Sequence, residues 1–233
     1  RRVLFRSPQG FGTEKIEEEL AAIFPQAAIE RLDADTARSS RNYRRIIASF
    51  EQRKTDILVG TQIITKGFDF GGVALVGILN ADNMLNYPDF RAGERAFQMM
   101  MQVGGRAGRR EEQGTVVIQT AQPEHPVVRQ ARDSDYDAMI RSQLAERRAF
   151  FYPPFCRLIA VLLRHRDHAL LWKAAAAFGT EARTRFGRRL LGPEPPAVDR
   201  IRGQFRLQFL LKIEKQLPVA AVKKELSGLF DRL

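Results

Sequence analysis

The residues with the clearest chemical potential are two arginines that follow a predicted helix. Residues 102–109 read QVGGRAGR, which places Arg106 and Arg109 three positions apart, where they can point the same way from one turn. Guanidinium groups are planar and permanently cationic, so they suit the negative charge that develops on a phosphoryl group during its transfer. Gly105 and Gly108 would let the backbone approach such a ligand closely. The alternative is a basic surface loop, but the complete string favours a phosphate-handling site.

A second string lies upstream, where a predicted buried strand ends. Thr61 and Gln62 follow that strand, and residues 65–70 read TKGFDF. Short hydroxyl and amide side chains at a strand end can hold DNA phosphates without reading the base sequence. Gly67 permits a tight bend. The alternative is an ordinary strand-to-loop crossing in which Asp69 caps a local group.

Both strings fall within a predicted α/β lobe that spans residues 10–122. Strands are predicted over residues 28–32, 56–60, 73–80 and 115–120, and helices over 13–24, around 43–50 and over 91–103. The last three strand segments are continuously apolar, which is typical of parallel strands covered on both faces. Repeated alternation of strand and helix therefore predicts a doubly wound parallel sheet.

The remainder of the chain predicts a helical connector over 123–150 and a small α+β domain over 151–233. In that domain we expect strands at 156–163 and 205–213, helices at 170–186 and 219–230, and a loop over 192–196. Arg200, Arg202 and Arg206 lie around Phe205, a mixture of cations and an aromatic ring that can contact the DNA backbone and stacked bases. A charged edge strand protected against aggregation explains the same residues equally well.

The charge distribution indicates an anionic partner. Of the net charge of +11, residues 1–122 carry +2 (17 Lys and Arg against 15 Asp and Glu) and residues 123–233 carry +9 (21 against 12). Such an excess favours binding to nucleic acid or an acidic peptide, although a solubilising surface is also compatible with it. A single cysteine, Cys156, fits the reducing cytoplasm, and none of the three histidines has the spacing of a metal site.

The two ends of the chain are expected to be artificial boundaries. Residues 1–7 read RRVLFRS, which a common sequencing-adapter end would encode, so we interpret residues 1–9 as non-native or linker residues. The chain also stops at Leu233 without turn or tail residues, which predicts a truncated C-terminal domain.

The two strings together resemble the conserved motifs of superfamily 2 helicases. Residues 102–109 have the Q-x-x-G-R-x-x-R spacing of the sixth motif, and residues 60–70 resemble the fifth. Beyond these motifs, the chain from about Gly10 to its end is similar to the PriA (primosomal protein N′) family. The segments that carry this likeness are 12–20, 33–36, 56–62, 66–70, 81–82, 88–95, 152–155 and 192–193. One mild departure is Gly104, where the family usually has alanine.

The resemblance implies the second, RecA-like lobe and the C-terminal domain of an ATP-driven 3′ to 5′ DNA helicase that restarts replication at stalled or repaired forks. It implies that Arg106 and Arg109 complete the ATP site. The remaining implied contacts are with the nucleotide, from Gly67, Asp69, Gln102 and Gly105, and with DNA, from Thr61, Gln62 and Lys66. The implied partners are forked DNA, the tail of single-stranded DNA-binding protein and other primosome proteins, bound by a monomer.

The resemblance also implies cofactors that this chain would not hold alone. ATP and Mg²⁺ would be bound mainly by a first lobe, since no G-x-x-x-x-G-K-[ST] loop and no Asp-Glu dipeptide occurs here. Zn²⁺ would be bound by a cysteine module that should precede Gly12 and is absent from this chain. We therefore expect the chain alone to be inactive. Two alternatives stay open: a fork-regression or repair helicase of the same superfamily, and a non-catalytic adaptor for DNA or an acidic peptide.

Overall fold

The computed structural model describes residues 2–6, 12–61, 73–105 and 114–230. It divides the chain into two compact units, unit 1 over Arg1–Arg141 and unit 2 over Ser142–Leu233.

Unit 1 is built on a five-stranded parallel sheet. Its strands are β1 (Arg2–Arg6), β2 (Ile29–Leu32), β3 (Ile57–Gly60), β4 (Val73–Ile78) and β5 (Thr115–Ile118). They lie in the order β2-β3-β1-β4-β5, and every pairing is parallel. All four residues of β3 are buried, because the sheet is covered on both faces at its centre.

The helices of unit 1 pack apolar stripes against this sheet. They are α1 (Thr13–Ile23), α2 (Ser40–Glu51), the short α3 (Asp82–Leu85), α4 (Ala92–Gly104), α5 (Pro126–Arg132) and α6 (Tyr136–Ala149), with a 3₁₀ turn at Thr36–Arg38. Helix α4 buries Ala96, Phe97, Met100 and Val103, which recur at helical spacing. The first core therefore joins α2, α4 and α5 to the middle of the sheet.

The strand at Arg2–Arg6 was not anticipated from the sequence. It lies at the centre of the sheet, where Val3 to Arg6 pair with Ile57 to Gly60 on one side and with Leu75 to Ile78 on the other. A short apolar run satisfies the backbone groups of both neighbouring strands in that position. The sequence interpretation of these residues as non-native stays a prediction.

The predicted connector over residues 123–150 is divided between the two units. Val127, Val128 and Met139 are buried in the first core, and the division falls between Arg141 and Ser142. The connector is also two helices rather than one, because Asp135 accepts a hydrogen bond from the backbone N–H of Ala138 at 2.8 Å and so caps α6.

Unit 2 combines an antiparallel sheet with two helices. Its strands are β6 (Cys156–His165), β7 (Leu190–Glu194), β8 (Arg200–Ile201) and β9 (Gln204–Glu214), and its helices are α7 (His168–Phe186) and α8 (Val219–Phe230). Strand β9 lies between β6 and β7 and also pairs with β8. Every second residue of β9 from Leu207 to Ile213 is buried, so one face of the sheet joins α7 and α8 in a second core.

The prediction of a loop over residues 192–196 is wrong at residues 192–194, which belong to a strand. Residues Leu190–Glu194 form β7, with a shift of register between Leu191 and Glu194. Gly192 has φ +98°, and a Cβ there would lie 2.5 Å from the carbonyl oxygen of Gln208. A glycine and a proline are usually turn signals, but here the glycine permits an irregular strand to run close to β9.

The predicted fold class is confirmed, since a parallel α/β unit is followed by a small α+β unit. Within the described residues, no helix combines the length and apolar composition needed to cross a membrane.

Candidate functional site

The candidate site in unit 1 lies where the parallel strands end. Because β2 to β5 run in the same direction, Leu32, Gly60, Ile78 and Ile118 all end at one edge of the sheet. Ligands of open parallel sheets bind at this carboxyl edge, where loops carry the variable side chains. The polar residues that follow these strands are therefore the first candidates for function.

Thr61 is the residue of the fifth-motif string that the structure describes. It follows β3 directly and is half-buried. Because β3 ends here, Thr61 lies at the carboxyl edge of the sheet, which is the position that a phosphate contact requires. The predictions for Gln62, Lys66, Gly67 and Asp69 lie outside the described residues and stay predictions.

The sixth-motif string begins at the end of α4. Gln102 has an exposed side chain one position before the buried Val103, and Gly105 ends the helix by donating its N–H to the carbonyl oxygen of Met101 at 2.9 Å. Gly105 has φ −65°, and a Cβ there would make only ordinary contacts, so local backbone strain does not explain this glycine. Arg106 and Arg109 lie outside the described residues.

Hydrogen bonds to Asp82 join the ends of β4 and β5, and the sequence did not indicate them. The carboxylate of Asp82 accepts a hydrogen bond from Thr120 Oγ1 at 2.7 Å and one from the backbone N–H of Ala121 at 2.9 Å. These two hydrogen bonds lower the pKa of Asp82. Beside it, Asn80 has φ +51° and donates its N–H to the side-chain oxygen of Gln119 at 3.1 Å. Asparagine adopts positive φ more readily than most residues and so is typical of such a turn, but the sequence does not indicate its partner 39 positions away.

The same two strand ends border a cavity. It measures about 480 Å³ and is lined by Ile16, Glu19, Leu79, Asn80, Asp82, Gln119, Thr120 and Ala121. Its walls mix amide, hydroxyl and carboxylate groups with three apolar side chains. Within the described residues, no three His, Cys, Asp or Glu side chains lie together as a metal site would require.

A buried carboxylate organises the loop after β2. Asp33 is 7% exposed and accepts hydrogen bonds from Thr13 Oγ1 at 2.5 Å and from the backbone N–H of Thr36 at 2.9 Å. Burial raises the pKa of Asp33, but these hydrogen bonds and the charge of Arg31 outweigh it and hold the pKa below its usual value. The segment 33–36, which carries part of the family likeness, therefore ties the start of α1 to the end of β2.

The block over residues 88–95 is held by one acidic residue. Asp89 Oδ2 lies 2.9 Å from Arg95 Nη1, and Asp89 Oδ1 accepts the backbone N–H of Arg91 at 2.9 Å. Burial raises the pKa of Asp89, but the hydrogen bonds and charges of the two arginines outweigh it and lower the pKa. This contact fixes the entry into α4, the helix that leads to the sixth motif.

In unit 2, the two arginines predicted to contact DNA have different surroundings. Arg202 is exposed at the turn between β8 and β9, where it has φ +49° and Gly203 has φ +76°. Two successive positive φ values are typical of the tightest hairpin turns. The half-buried Arg206 donates from Nη1 to the carbonyl oxygen of Val198 at 3.0 Å. Its guanidinium therefore also supports the preceding loop.

The two units match two family models. Residues 11–111 match the helicase conserved C-terminal domain, so unit 1 is a helicase lobe of that class. Residues 148–232 match the primosomal protein N C-terminal domain. With both matches in order and the relatives described next, the resemblance to the PriA family that the sequence predicted is confirmed.

Curated relatives support this assignment along nearly the whole chain. The replication restart protein PriA of Bacillus subtilis (strain 168) is 36% identical over 225 residues, covering 96% of this chain and 28% of the relative. The protein of the same name from Treponema pallidum (strain Nichols) is 43% identical over 205 residues, covering 87% of this chain and 31% of the relative. The chain thus spans about three tenths of the length of these relatives.

Among solved structures, the C-terminal domain of the DEAD-box protein Dbp5 aligns with a TM-score of 0.45 and 14% identity. The alignment covers 58% of this chain and 71% of that one.

Proposed function

We propose that the chain is the second motor lobe and the C-terminal domain of an ATP-dependent 3′ to 5′ DNA helicase that restarts replication at stalled or repaired forks. The observation that carries the proposal is the similarity of 87% or more of the chain to proteins named replication restart protein PriA. Helicases use a nucleotide and a metal ion in general. We infer that the nucleotide here is ATP with Mg²⁺, held mainly by a first lobe.

The local geometry of unit 1 supports this role. Thr61 stands at the carboxyl edge of the sheet, and Gln102 and Gly105 close the helix from which the sixth-motif arginines follow. The C-terminal end of a helix carries partial negative charge, which favours cations directly after it. We infer that Arg106 and Arg109 stabilise the charge on the transferred phosphoryl group from across an interlobe cleft.

The remaining residues divide between the nucleotide and DNA. We infer that Gly67, Asp69, Gln102 and Gly105 lie on the nucleotide side, while Thr61, Gln62 and Lys66 hold the tracking strand through its phosphates. Arg202 and Arg206 would add phosphate contacts from unit 2.

The inferred partners follow from the family. They are forked DNA, the tail of single-stranded DNA-binding protein and other primosome proteins, and the inferred place of action is the cytoplasm. We further infer that Zn²⁺ belongs to a cysteine module of the family rather than to this chain.

The test joins this chain to a first motor lobe of the same family and replaces Arg109 by alanine. DNA-stimulated ATP turnover should fall by about 10³-fold, as for other arginines that contact a transferred phosphoryl group. DNA affinity should change by less than about 3-fold, because one lost surface cation weakens phosphate binding only slightly.

Arg110→Ala is the matched control. It removes the neighbouring positive charge without altering the Q-x-x-G-R-x-x-R pattern, and turnover should stay near that of the unaltered protein. Undiminished turnover in the Arg109 variant, or an equal loss in both variants, contradicts the proposed role. A non-catalytic adaptor would show no nucleotide-dependent change in DNA affinity at all.

A further inference from the structure

Four side chains of unit 2 form a continuous row at one end of its antiparallel sheet. We call Trp172, His168, Phe205 and Arg200 the aromatic–cation row. The imidazole of His168 lies edge-on between the other two rings, with its centroid 6.3 Å from the Trp172 ring and 5.0 Å from the Phe205 ring. Arg200 Cζ lies 4.7 Å from the Phe205 centroid. Helix α7 supplies one half of the row and the β8–β9 hairpin supplies the other.

Core packing does not account for Trp172. Helix α7 buries Leu171, Ala175 and Phe178 on one face, whereas Trp172 lies next to that face and is 38% exposed. Its only polar atom is already satisfied, since Nε1 donates a hydrogen bond to His168 Nε2 at 3.0 Å. The exposed surface of the indole is therefore mostly ring carbon, and the hydrogen bond from Nε1 to His168 holds the ring at one edge.

The surroundings of the row are strongly cationic. Residues 164–173 and 198–206 contain six cations (Arg164, Arg166, Lys173, Arg200, Arg202 and Arg206) against two acids (Asp167 and Asp199), a net charge of +4. One of the two acids is already engaged, because Asp167 caps α7 by accepting the N–H of Leu170 at 3.0 Å. The ligand that fits this surface is a polyanion.

Exposed ring carbon and clustered cations together select among polyanions. Cations alone bind any phosphate backbone, but an exposed aromatic face gains stacking energy only from a planar, unpaired base. A base in a duplex is already stacked on its neighbours, and an acidic peptide presents a flat ring only where its sequence includes an aromatic residue, whereas every nucleotide of a single strand carries one.

We propose that the aromatic–cation row is a stacking site for an unpaired base of single-stranded DNA, with Trp172 as the platform and the hairpin arginines on the flanking phosphates. The proposal rests on the proposed function only for its ligand class, DNA. It assigns unit 2 a contact with the bases in addition to contacts with the backbone.

The test uses Trp172 as its own reporter, because it is the one tryptophan of the chain. The 233-residue chain is titrated with oligo(dT) of about 12 nucleotides, and separately with an abasic strand of the same length and charge. Oligo(dT) should quench the tryptophan fluorescence to saturation, while the bound abasic strand should not. Oligo(dT) should also bind about 10-fold more tightly than the abasic strand.

Variants then separate stacking from charge. Trp172→Ala should lose about 10-fold in affinity for oligo(dT) and nothing for the abasic strand, whereas Trp172→Phe should retain affinity within about 3-fold. Phe24→Ala removes an exposed ring of unit 1, 49% exposed, and should change neither affinity. Circular dichroism checks the fold of each variant. If Trp172→Ala unfolds, the difference in quenching and in affinity between oligo(dT) and the abasic strand in the unaltered chain remains the test.

Equal quenching by both strands, or an equal loss for both strands in Trp172→Ala, overturns the stacking site. Phosphate binding by unit 2 would survive that outcome, and with it the proposed function. Failure of the unaltered chain to bind either strand overturns the stacking site together with the DNA contacts proposed for unit 2. The ATP turnover test of Arg109 is independent of both results.

Discussion

Units 1 and 2 position their polar residues in different ways. In unit 1 the strands are parallel, so the chain returns to one carboxyl edge after each crossover, and Asp33, Thr61, Asp82 and Thr120 all follow strand ends. In unit 2 the sheet is antiparallel, and its exposed cations and aromatics gather at a hairpin and the start of a helix. A parallel unit concentrates function at one edge, whereas an antiparallel unit presents it at its turns.

The two units also differ in how far their polar and aromatic side chains are engaged in contacts within the protein. The polar groups at the strand ends of unit 1 hydrogen-bond to one another and to the backbone, which fixes the bases of the loops at that edge. The side chains in the row of unit 2 keep exposed surface, which suits a flexible polymer such as single-stranded DNA. In the proposed function, unit 1 contributes to ATP turnover and unit 2 holds the DNA strand.

The largest expected effect tests whether the two cores are independent. Phe97 is 1% exposed in the first core and Phe209 is fully buried in the second. Alanine at either position should lower the free energy of unfolding of its own unit by about 3–5 kcal/mol. Urea unfolding followed by Trp172 fluorescence reports unit 2 alone, whereas circular dichroism reports both. Phe209→Ala should shift the fluorescence midpoint and Phe97→Ala should not; an equal shift would mean that the units unfold as one.

A smaller effect is expected at Asp33, which joins α1 to β2. Asp33→Asn should destabilise unit 1 by about 2 kcal/mol, because a buried carboxylate loses its charge-assisted hydrogen bonds. The matched control is Asp35→Asn, whose carboxylate pairs with Arg38 on the surface at 2.9 Å. That exposed pair should contribute less than about 0.5 kcal/mol.

The pH dependence of Asp33 follows from its lowered pKa. A depressed folded pKa stabilises the native state above the unfolded pKa of about 3.9, and this contribution is lost as the pH falls through the folded value. The difference in stability between the Asp33→Asn variant and the unaltered chain should therefore be constant near neutral pH and shrink below about pH 4. A difference that grows on acidification would contradict the assigned hydrogen bonds.

The smallest effect separates the two arginines of the hairpin. Arg202→Ala should weaken DNA binding about 2- to 3-fold and reduce the slope of log affinity against log salt by about 1, with no change in stability. Arg206→Ala should also cost unit 2 about 1 kcal/mol, because its hydrogen bond to Val198 is lost. Identical stability of the two variants would show that the half-buried guanidinium has no supporting role.

The sequence predicted most elements of both units because their signals are local, whereas β1 was not anticipated. Continuous apolar runs indicated β3 to β5, and helical spacing of Phe97, Met100 and Val103 indicated α4. Strand β7 was missed because its glycine and proline resemble a turn until β9 lies beside them.

The candidate sites show the same difference between local signals, which a sequence reveals, and contacts between distant residues, which it does not. Motif spacing indicated Thr61, Gln102 and Gly105, since each belongs to a short string of consecutive residues. The hydrogen bond between Asp82 and Thr120 joins residues 38 positions apart, and the ring contact of His168 with Phe205 spans a similar separation. No local pattern encodes such pairs, because only the packing of each folded unit brings them together.

The most direct test of the contrast between the units is ATP turnover as a function of single-stranded DNA concentration, in a protein that joins this chain to a first motor lobe. Arg109→Ala should lower maximal turnover about 10³-fold and leave the half-saturating DNA concentration within about 3-fold. Trp172→Ala should leave maximal turnover unchanged and raise the half-saturating concentration by about 3- to 10-fold. The account is contradicted if Trp172→Ala lowers the maximum, or if Arg109→Ala alters only the DNA concentration that is required.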